Sequence, residues 1–236
     1  MAKEIIIQIR DLIKSYSRKV AINGVNLDIY KSEIFGLLGP NGAGKSTLLS
    51  MMATVSKPTS GDIYIKDISL VKQAHLVKKL IGFVPQEIAL YTKLSGIDNL
   101  KFWGQVYGLR GRVLQERIEY VLFVVALQDR IKDPVDHYSG GMKRRLNIAA
   151  SLLHNPQILI MDEPTAGVDV ESRRCILSAV KKLSEEGTTV IYTSHYLEEV
   201  DGICHRLAFL KEGRIETVGT MAELEGYFAT SNKKTK

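Results

Sequence analysis

Residues 34–47 limit the possible folds of this chain more than any other stretch, because a short apolar run leads there into a glycine-rich turn that ends in Lys-Ser-Thr. The turn fits the pattern G-x-x-x-x-G-K-S/T at Gly39, Gly44, Lys45 and Ser46. Glycines allow a tight turn whose N–H groups point inward, and a helix that starts near Lys45 adds the positive end of its dipole. The stretch therefore predicts a buried strand, an anion-binding loop and a helix, which together open an α/β core.

The glycine-rich turn has the donors needed to hold a polyphosphate. The residues predicted to bind it are Gly39, Pro40, Asn41, Gly42, Ala43, Gly44, Lys45, Ser46 and Thr47. Lys45 is expected to reach the β- and γ-phosphate oxygens, and the Ser46 hydroxyl to bind Mg²⁺, which prefers hard oxygen ligands. The alternative is an ordinary glycine-rich turn between a strand and a helix. The helical pattern of residues 48–53, directly after the turn, favours the phosphate loop.

The chain has 236 residues, 45% hydrophobic and 25% charged, as in globular proteins with one large domain or a core and a subdomain. Its longest apolar run, residues 120–127, is much shorter than the about 20 residues that span a bilayer. The first residues lack the pattern of an export signal, and the two cysteines form neither a metal site nor a disulfide framework. The net charge of +6 is spread along the chain, which is typical of a solvated surface. We therefore expect a cytoplasmic protein with no nucleic-acid partner.

The segment before the phosphate loop predicts an antiparallel β piece. Residues 5–12 and 20–30 have strand patterns, and the dipeptide Asn23-Gly24 is a strong signal for a two-residue hairpin turn. Tyr16 lies between the two patterns, in a predicted loop. An aromatic side chain there could stack on a base ring, and the alternative is an exposed or half-packed loop tyrosine.

The segment after the loop predicts a core strand followed by an inserted helical subdomain. Residues 80–84 read as a short buried strand that ends at Gln86, whose amide could bind Mg²⁺ or hold a water near a γ-phosphate. A solvent-facing glutamine is the alternative. From residue 87 to about residue 151 the pattern is helical, with one apolar face formed by Leu114, Ile118, Val121, Leu122 and Val125.

A second anion site is predicted within the helical subdomain. Ser139, Gly140 and Gly141 form a turn of small residues directly before the helical pattern of residues 143–154. The Ser139 hydroxyl and the two following N–H groups would then lie at a helix N-terminus, where anions bind. The chain thus contains two elements that could bind phosphate.

Two further strands end in polar residues. A buried strand ends in Asp162 and Glu163, and the next core strand ends directly before His195. Carboxyl ends of parallel strands gather at the ligand crevice, so Asp162 is suited to hold Mg²⁺ through water, and Glu163 to accept a proton from an attacking water. The alternatives are a pair of exposed loop acids and an ordinary, hydrogen-bonded histidine.

These motifs, in this order, resemble the nucleotide-binding subunit of ATP-binding-cassette (ABC) transporters over about residues 4–220. Residues 39–47 resemble its Walker A motif, Gln86 its Q-loop, residues 138–142 its signature sequence, residues 158–162 with Glu163 its Walker B motif and catalytic glutamate, residues 166–169 its D-loop, His195 its switch histidine and Tyr16 its adenine-stacking aromatic. The signature departs from the commonest Leu-Ser-Gly-Gly-Gln at Tyr138 and Met142. The resemblance implies an ABC ATPase domain over residues 1–229, with a P-loop NTPase core of mainly parallel sheet and flanking helices. Residues 230–236 are predicted to be a disordered basic tail.

The resemblance also implies a function. It predicts hydrolysis of ATP with Mg²⁺, assisted by Glu163, His195 and Gln86. Two cassettes, identical or closely related, would pack head to tail, with Ser139 of one facing the phosphate held by Lys45 of the other. The sequence around the motifs is most similar to exporter cassettes that work with a separate transmembrane permease, on the cytoplasmic face of the membrane. The alternative is a soluble ABC ATPase that acts on ribosomes or nucleic acid.

Overall fold

The computed structural model describes residues 4–17, 19–194 and 197–231, which form two β-sheets and the helices around them. The strands are β1 (Ile5–Tyr16), β2 (Lys19–Tyr30), β3 (Ile34–Leu38), β4 (Ser60–Ile65), β5 (Ile68–Ser69), β6 (Ile81–Val84), β7 (Ile158–Met161), β8 (Thr189–Thr193), β9 (Arg206–Lys211) and β10 (Arg214–Gly219). The helices are α1 (Lys45–Met52), α2 (Leu70–Val77), α3 (Gly96–Val106), α4 (Gly111–Val125), α5 (Gly140–Leu152), α6 (Val170–Glu185), α7 (Leu197–Ile203) and α8 (Met221–Ser231). Short 3₁₀ turns lie at Lys78–Leu80, Gln128–Arg130 and Val135–His137.

The larger sheet forms the core and has the strand order β10-β9-β3-β8-β7-β6. The strands from β9 to β6 run parallel, and β10 is antiparallel to β9. β3, β7 and β8 are buried at every position, as expected for parallel strands covered on both faces. Because the strands are parallel, the residues that follow β3, β6, β7 and β8 meet at one edge of the sheet. The α/β class predicted from the sequence is confirmed.

The smaller sheet is antiparallel, has the order β2-β1-β4-β5, and confirms the predicted N-terminal β piece. One hydrophobic cluster joins it to α1 and to the larger sheet, and includes Ile9, Ile63, Leu49 and Ile160, all fully buried. Burying such a side chain stabilises the fold by about 1.5–3 kcal/mol. The cluster therefore fixes the phosphate loop, which lies between β3 and α1, against both sheets.

The predicted hairpin turn at Asn23-Gly24 is wrong. β2 continues through both residues, and β1 pairs with it from Ile5 to Tyr16, so the chain reverses between Tyr16 and Lys19 instead. The register shifts by one residue at Gly24, whose φ is +70°, as in a β-bulge. The N–H of Asn23 also donates to the carbonyl of Gly213 at 2.8 Å. The dipeptide therefore bends a long strand rather than ending it.

Helices α3, α4 and α5 lie between β6 and β7 in the chain. The apolar face predicted for α4 is buried, and packs against α5 and α6. α5 begins at Gly140, three residues before the predicted start at Lys143, because the Ser139 hydroxyl accepts a hydrogen bond from the N–H of Met142 and caps the helix.

None of the described helices is long and apolar enough to cross a bilayer. The predicted basic tail begins inside α8, which reaches Ser231, and residues 232–236 lie outside the described residues.

Candidate functional site

A cleft of about 650 Å³ opens at the carboxyl edge of the larger sheet. The turn between β1 and β2 borders it on one side, and the loops after β3, β6 and β7 border it on the others. The residues that line the cleft are Tyr16, Lys19, Ala21, Asn41, Gly42, Gly44, Lys45, Ser46, Thr47, Gln86 and Glu163. The cleft thus brings together the predicted base-stacking tyrosine, the predicted phosphate loop and two of the predicted catalytic side chains.

Gly39 and Gly44, the glycines at the fixed positions of the loop, leave no room for a side chain because backbone atoms of other strands lie close to them. A Cβ at Gly39 would lie 2.1 Å from the carbonyl oxygen of Leu210, and a Cβ at Gly44 would lie 2.5 Å from that of Ala21. Gly44 also caps α1 with φ +109°, a conformation that L side chains rarely adopt. The loop is therefore pressed against β2 and β9, and its open side faces the cleft.

The Lys45 ammonium lies inside the loop rather than in solvent. Its Nζ donates to the carbonyl of Gly39 at 2.8 Å and to that of Pro40 at 3.2 Å. Burial lowers the pKa of Lys45, and the charges of Glu163 and Asp162 partly oppose that shift. A buried cation among neutral carbonyl groups is favourably placed to meet an anionic ligand, because desolvation strengthens the attraction between them.

Gln86 and Glu163 are in direct contact at one end of the cleft. The Gln86 amide donates to the Glu163 carboxylate at 3.2 Å. Glu163 has φ +48°, a left-handed conformation that costs a residue other than glycine about 1–3 kcal/mol. The strain is offset by contacts that hold the Glu163 backbone in place.

Thr193 provides one of those contacts, and the sequence analysis missed it. Its Oγ1 accepts from the N–H of Glu163 at 2.8 Å and donates to Oδ1 of Asp162 at 2.9 Å. Asp162 itself is buried just behind the cleft. The parallel register of β7 and β8 pairs Met161 with Tyr192, which places the next two residues, Asp162 and Thr193, side by side. The register of β7 and β8 identifies this threonine, and the sequence pattern did not specify that register.

The turn of Ser139, Gly140 and Gly141 does not border the cleft in the described part of the chain. It forms the N-terminus of α5 and packs against the N-terminus of α6, where Asp169 caps the helix by accepting from the N–H of Ser172 at 2.8 Å. Gly140 has open space at its Cβ position, whereas Gly141 lies directly against Ser172. The second predicted anion site is thus separate from the first within one chain.

Two predicted residues remain to be placed. Tyr16 is half-exposed beside the cleft, and the Nζ of Lys14 lies 4.8 Å from the centre of its ring. His195 lies outside the described residues.

The side chains at the phosphate end of the cleft fit a small, hard cation. Ser46 and Gln86 offer neutral oxygen atoms in the cleft, and Asp162 offers a carboxylate behind it. Among the described residues, no three His, Cys, Asp or Glu side chains cluster closely enough to hold a metal by themselves. Such oxygen donors fit Mg²⁺, which keeps several waters and is held by a few protein oxygens together with phosphate oxygens.

Comparison with protein families agrees with this geometry. The family described as ABC transporter matches residues 22–166. The linearmycin resistance ATP-binding protein LnrL of Bacillus subtilis is 47% identical over 218 residues, 92% of this chain and 70% of that protein. The Nod factor export ATP-binding protein I of Sinorhizobium fredii is 37% identical over 211 residues, 89% of this chain and 62% of that protein. The chain thus spans about two thirds of the length of these relatives.

Solved structures share the fold. A dimeric ATP-binding cassette in a post-hydrolysis state, bound to ADP and Pi, superposes with a TM-score of 0.83 at 28% identity, covering 91% of this chain and 98% of that one. The protein cbiO1 of Clostridium perfringens, part of the ABC transporter complex cbiONQ, superposes with a TM-score of 0.86 at 28% identity, covering 98% of this chain and 94% of that one.

Proposed function

The chain belongs to the ABC transporter family and is an ATP-binding ATPase, and on that premise we propose that it powers a separate transmembrane permease by closing with a second cassette around ATP. One observation carries the proposal. The cleft contains the phosphate loop with Gln86 and Glu163, while the turn at Ser139 lies elsewhere on the same chain. A chain with two separate anion sites is suited to share a nucleotide with a second copy.

Within one cleft, each side chain has a proposed role. Residues 39–47 bind the phosphates, and Lys45 exchanges its contacts with the Gly39 and Pro40 carbonyls for phosphate oxygens. Tyr16, which also lines the cleft, stacks on the base. With these contacts, the terminal phosphate would lie near Gln86 and Glu163, which line the same cleft.

Hydrolysis is proposed to depend on Glu163 as general base. Its carboxylate accepts the proton of the attacking water, and its contact with the Gln86 amide keeps it directed into the cleft. His195, at the end of β8 in the sequence, is proposed to assist at the same phosphate. Ser46 and Gln86 would hold Mg²⁺, with Asp162 acting through water, and the bound ion supplies charge neutralisation on the phosphate oxygens.

The second cassette is proposed to complete the site. Ser139, Gly140 and Gly141 of the partner would face the terminal phosphate, presenting the N–H groups at the start of α5 and the Ser139 hydroxyl. ATP then lies between two chains and holds them together.

The permease and the direction of transport are proposed from the relatives. One similar protein is named for linearmycin resistance, another for Nod factor export, and cbiO1 is part of a transporter complex. These names favour export, with the cassette dimer on the cytoplasmic face of the membrane. A soluble ATPase that acts on ribosomes or nucleic acid is the competing class. Recovery of the native protein in ribosome pellets, and not with detergent-solubilised membranes, would favour that class.

The shared site is tested by light scattering on Glu163→Gln. This change removes the general base but keeps the cleft, so ATP should convert the 26.3 kDa chain to a species of twice that mass. Adding Ser139→Arg should abolish the shift, because the new side chain would occupy the phosphate contact. The matched control adds Gln73→Arg, the same charge change at an exposed position of α2, and should still dimerise. Dimerisation of the Ser139→Arg variant to the same extent as the control would contradict the shared site.

A further inference from the structure

One buried carboxylate is not among the residues that line the cleft, and the mechanism described above does not use it. Glu199, on α7, is only 6% exposed. Its Oε2 accepts hydrogen bonds from Thr165 Oγ1 at 2.7 Å, Ser194 Oγ at 2.8 Å and Tyr192 Oη at 3.0 Å. Three hydroxyl groups thus converge on one oxygen atom.

An ion pair balances the charge of this carboxylate. Oε1 of Glu199 lies 3.2 Å from Nε of Arg173, which projects from α6. Burial raises the pKa of Tyr192, so its hydroxyl keeps the proton that it donates. Burying a carboxylate is unfavourable unless hydrogen bonds and an opposite charge compensate for lost hydration, and Glu199 has both.

The donors belong to the two segments that position Glu163. Thr165 lies two residues after Glu163, in a turn closed by a hydrogen bond of 3.1 Å from the N–H of Ala166 to the carbonyl of Glu163. Ser194 directly follows Thr193, whose hydroxyl binds the Glu163 N–H. Glu199 therefore connects the segment after β7 to the segment after β8, and it is not among the residues that line the cleft.

We propose that Glu199 is a positioning residue for ATP hydrolysis, which holds the turn at residues 163–166 against the end of β8 and so keeps the Glu163 carboxylate in its place. Glu163 has a left-handed backbone that relaxes unless its neighbours hold it. The bond from Thr165 to Glu199 anchors one side of this residue, and the bond to Thr193 anchors the other. The inference rests on the proposed role of Glu163 as general base.

The test is Glu199→Gln, which keeps the shape of the side chain and removes its charge. The turnover number for ATP should fall on the order of 10²-fold, the effect of a catalytic group misplaced by about 1 Å. ATP affinity, measured with a fluorescent ATP analogue, should stay within about twofold of wild type, because Glu199 does not border the cleft. The matched control is Glu198→Gln, the same change at the exposed neighbouring residue, which should leave both quantities unchanged.

Two results would overturn the proposal: wild-type turnover in Glu199→Gln, or an equal loss of turnover and ATP affinity, which would indicate general loosening of the fold. If Glu199→Gln does not fold, Thr165→Val tests the proposal instead, because it removes one hydrogen-bond donor to Glu199 at nearly constant volume. This variant should lower the turnover number and leave ATP affinity unchanged. Turnover of Glu163→Gln is measured in parallel. Full activity there refutes the role of Glu163, whereas an inactive Glu163→Gln beside a fully active Glu199→Gln refutes only the positioning role.

Discussion

Alanine is expected to destabilise the protein at Gly141 but not at Gly140, although the two glycines are neighbours at the start of α5. A Cβ at position 141 would lie 2.0 Å from Oγ and 2.4 Å from Cβ of Ser172, and 2.8 Å from Oδ2 of Asp169. A Cβ at position 140 would have no atom within 4 Å. The pair therefore separates the effect of packing from the effect of losing a glycine.

The magnitude follows from two opposing contributions. Replacing glycine by alanine inside a helix stabilises it by roughly 0.5–1 kcal/mol, and Gly140→Ala should gain at most that amount. Overpacking a tight contact costs about 1–3 kcal/mol. The Ser172 hydroxyl could rotate away from a new methyl group, but its Cβ is fixed to the backbone of α6 and the residue is buried. Gly141→Ala must then move α5 away from α6, and we expect a net loss of about 1–2 kcal/mol in the free energy of unfolding.

Urea denaturation of both variants measures this difference. The double variant Gly141→Ala with Ser172→Gly removes both Ser172 atoms from the contact, so it should recover part of the loss in spite of the added helix glycine. If Gly141→Ala and Gly140→Ala are equally stable, the contact between the two helix ends does not constrain the protein, and the reasoning fails.

Two further predictions concern the helical segment. Arg144 is buried, and it donates to the carbonyl of Pro85 at 2.8 Å and to that of Gln86 at 2.5 Å. Arg144→Gln should therefore lower the free energy of unfolding, measured in urea, by about 2–3 kcal/mol, with Lys143→Gln as the control. Equal stability of the two variants would show that these bonds do not stabilise the segment of Pro85 and Gln86. Burial and the hydrogen bond to Glu186 raise the pKa of Tyr120 to about 12, against about 10 in the unfolded chain, so stability should fall as pH rises from about 10 to about 12. Tyr120→Phe should make the free energy of unfolding less dependent on pH between about 10 and about 12. An unchanged pH dependence of that free energy in Tyr120→Phe would contradict the prediction.

The sequence predicted the fold most reliably where a few neighbouring residues carry the signal. The predicted turn, with Gly39 and Gly44 at fixed spacing, lies between a strand and a helix as expected, because the pattern itself specifies the turn. Asn23-Gly24 is an equally local signal, and it failed because nine residues of β1 pair with β2 on both sides of it. The many ladder hydrogen bonds of a long strand pair outweigh the preference of one dipeptide.

Within the candidate site, the rule that parallel strands end at one edge of the sheet was sufficient to predict that Gln86 and Glu163 lie close together. It did not reveal Thr193, Glu199 or Arg144. Each is an ordinary polar residue whose role depends on the register of two strands or on the packing of a helix, and neither is specified by neighbouring residues in the chain. Several of their partners are distant in sequence: Thr193 binds Asp162 and Glu163, Glu199 binds Thr165, and Arg144 binds the carbonyls of Pro85 and Gln86.

The contacts of Lys45 have a consequence for selectivity. Within the loop, the Lys45 ammonium donates to the carbonyls of Gly39 and Pro40. A ligand must therefore outcompete the loop for that ammonium, and only an anion gains by the exchange, since a charged acceptor binds it more strongly than a carbonyl does. An uncharged nucleoside could occupy the tyrosine side of the cleft and still leave the lysine where it was. The proposed nucleotide site would therefore select its ligand by charge at Lys45.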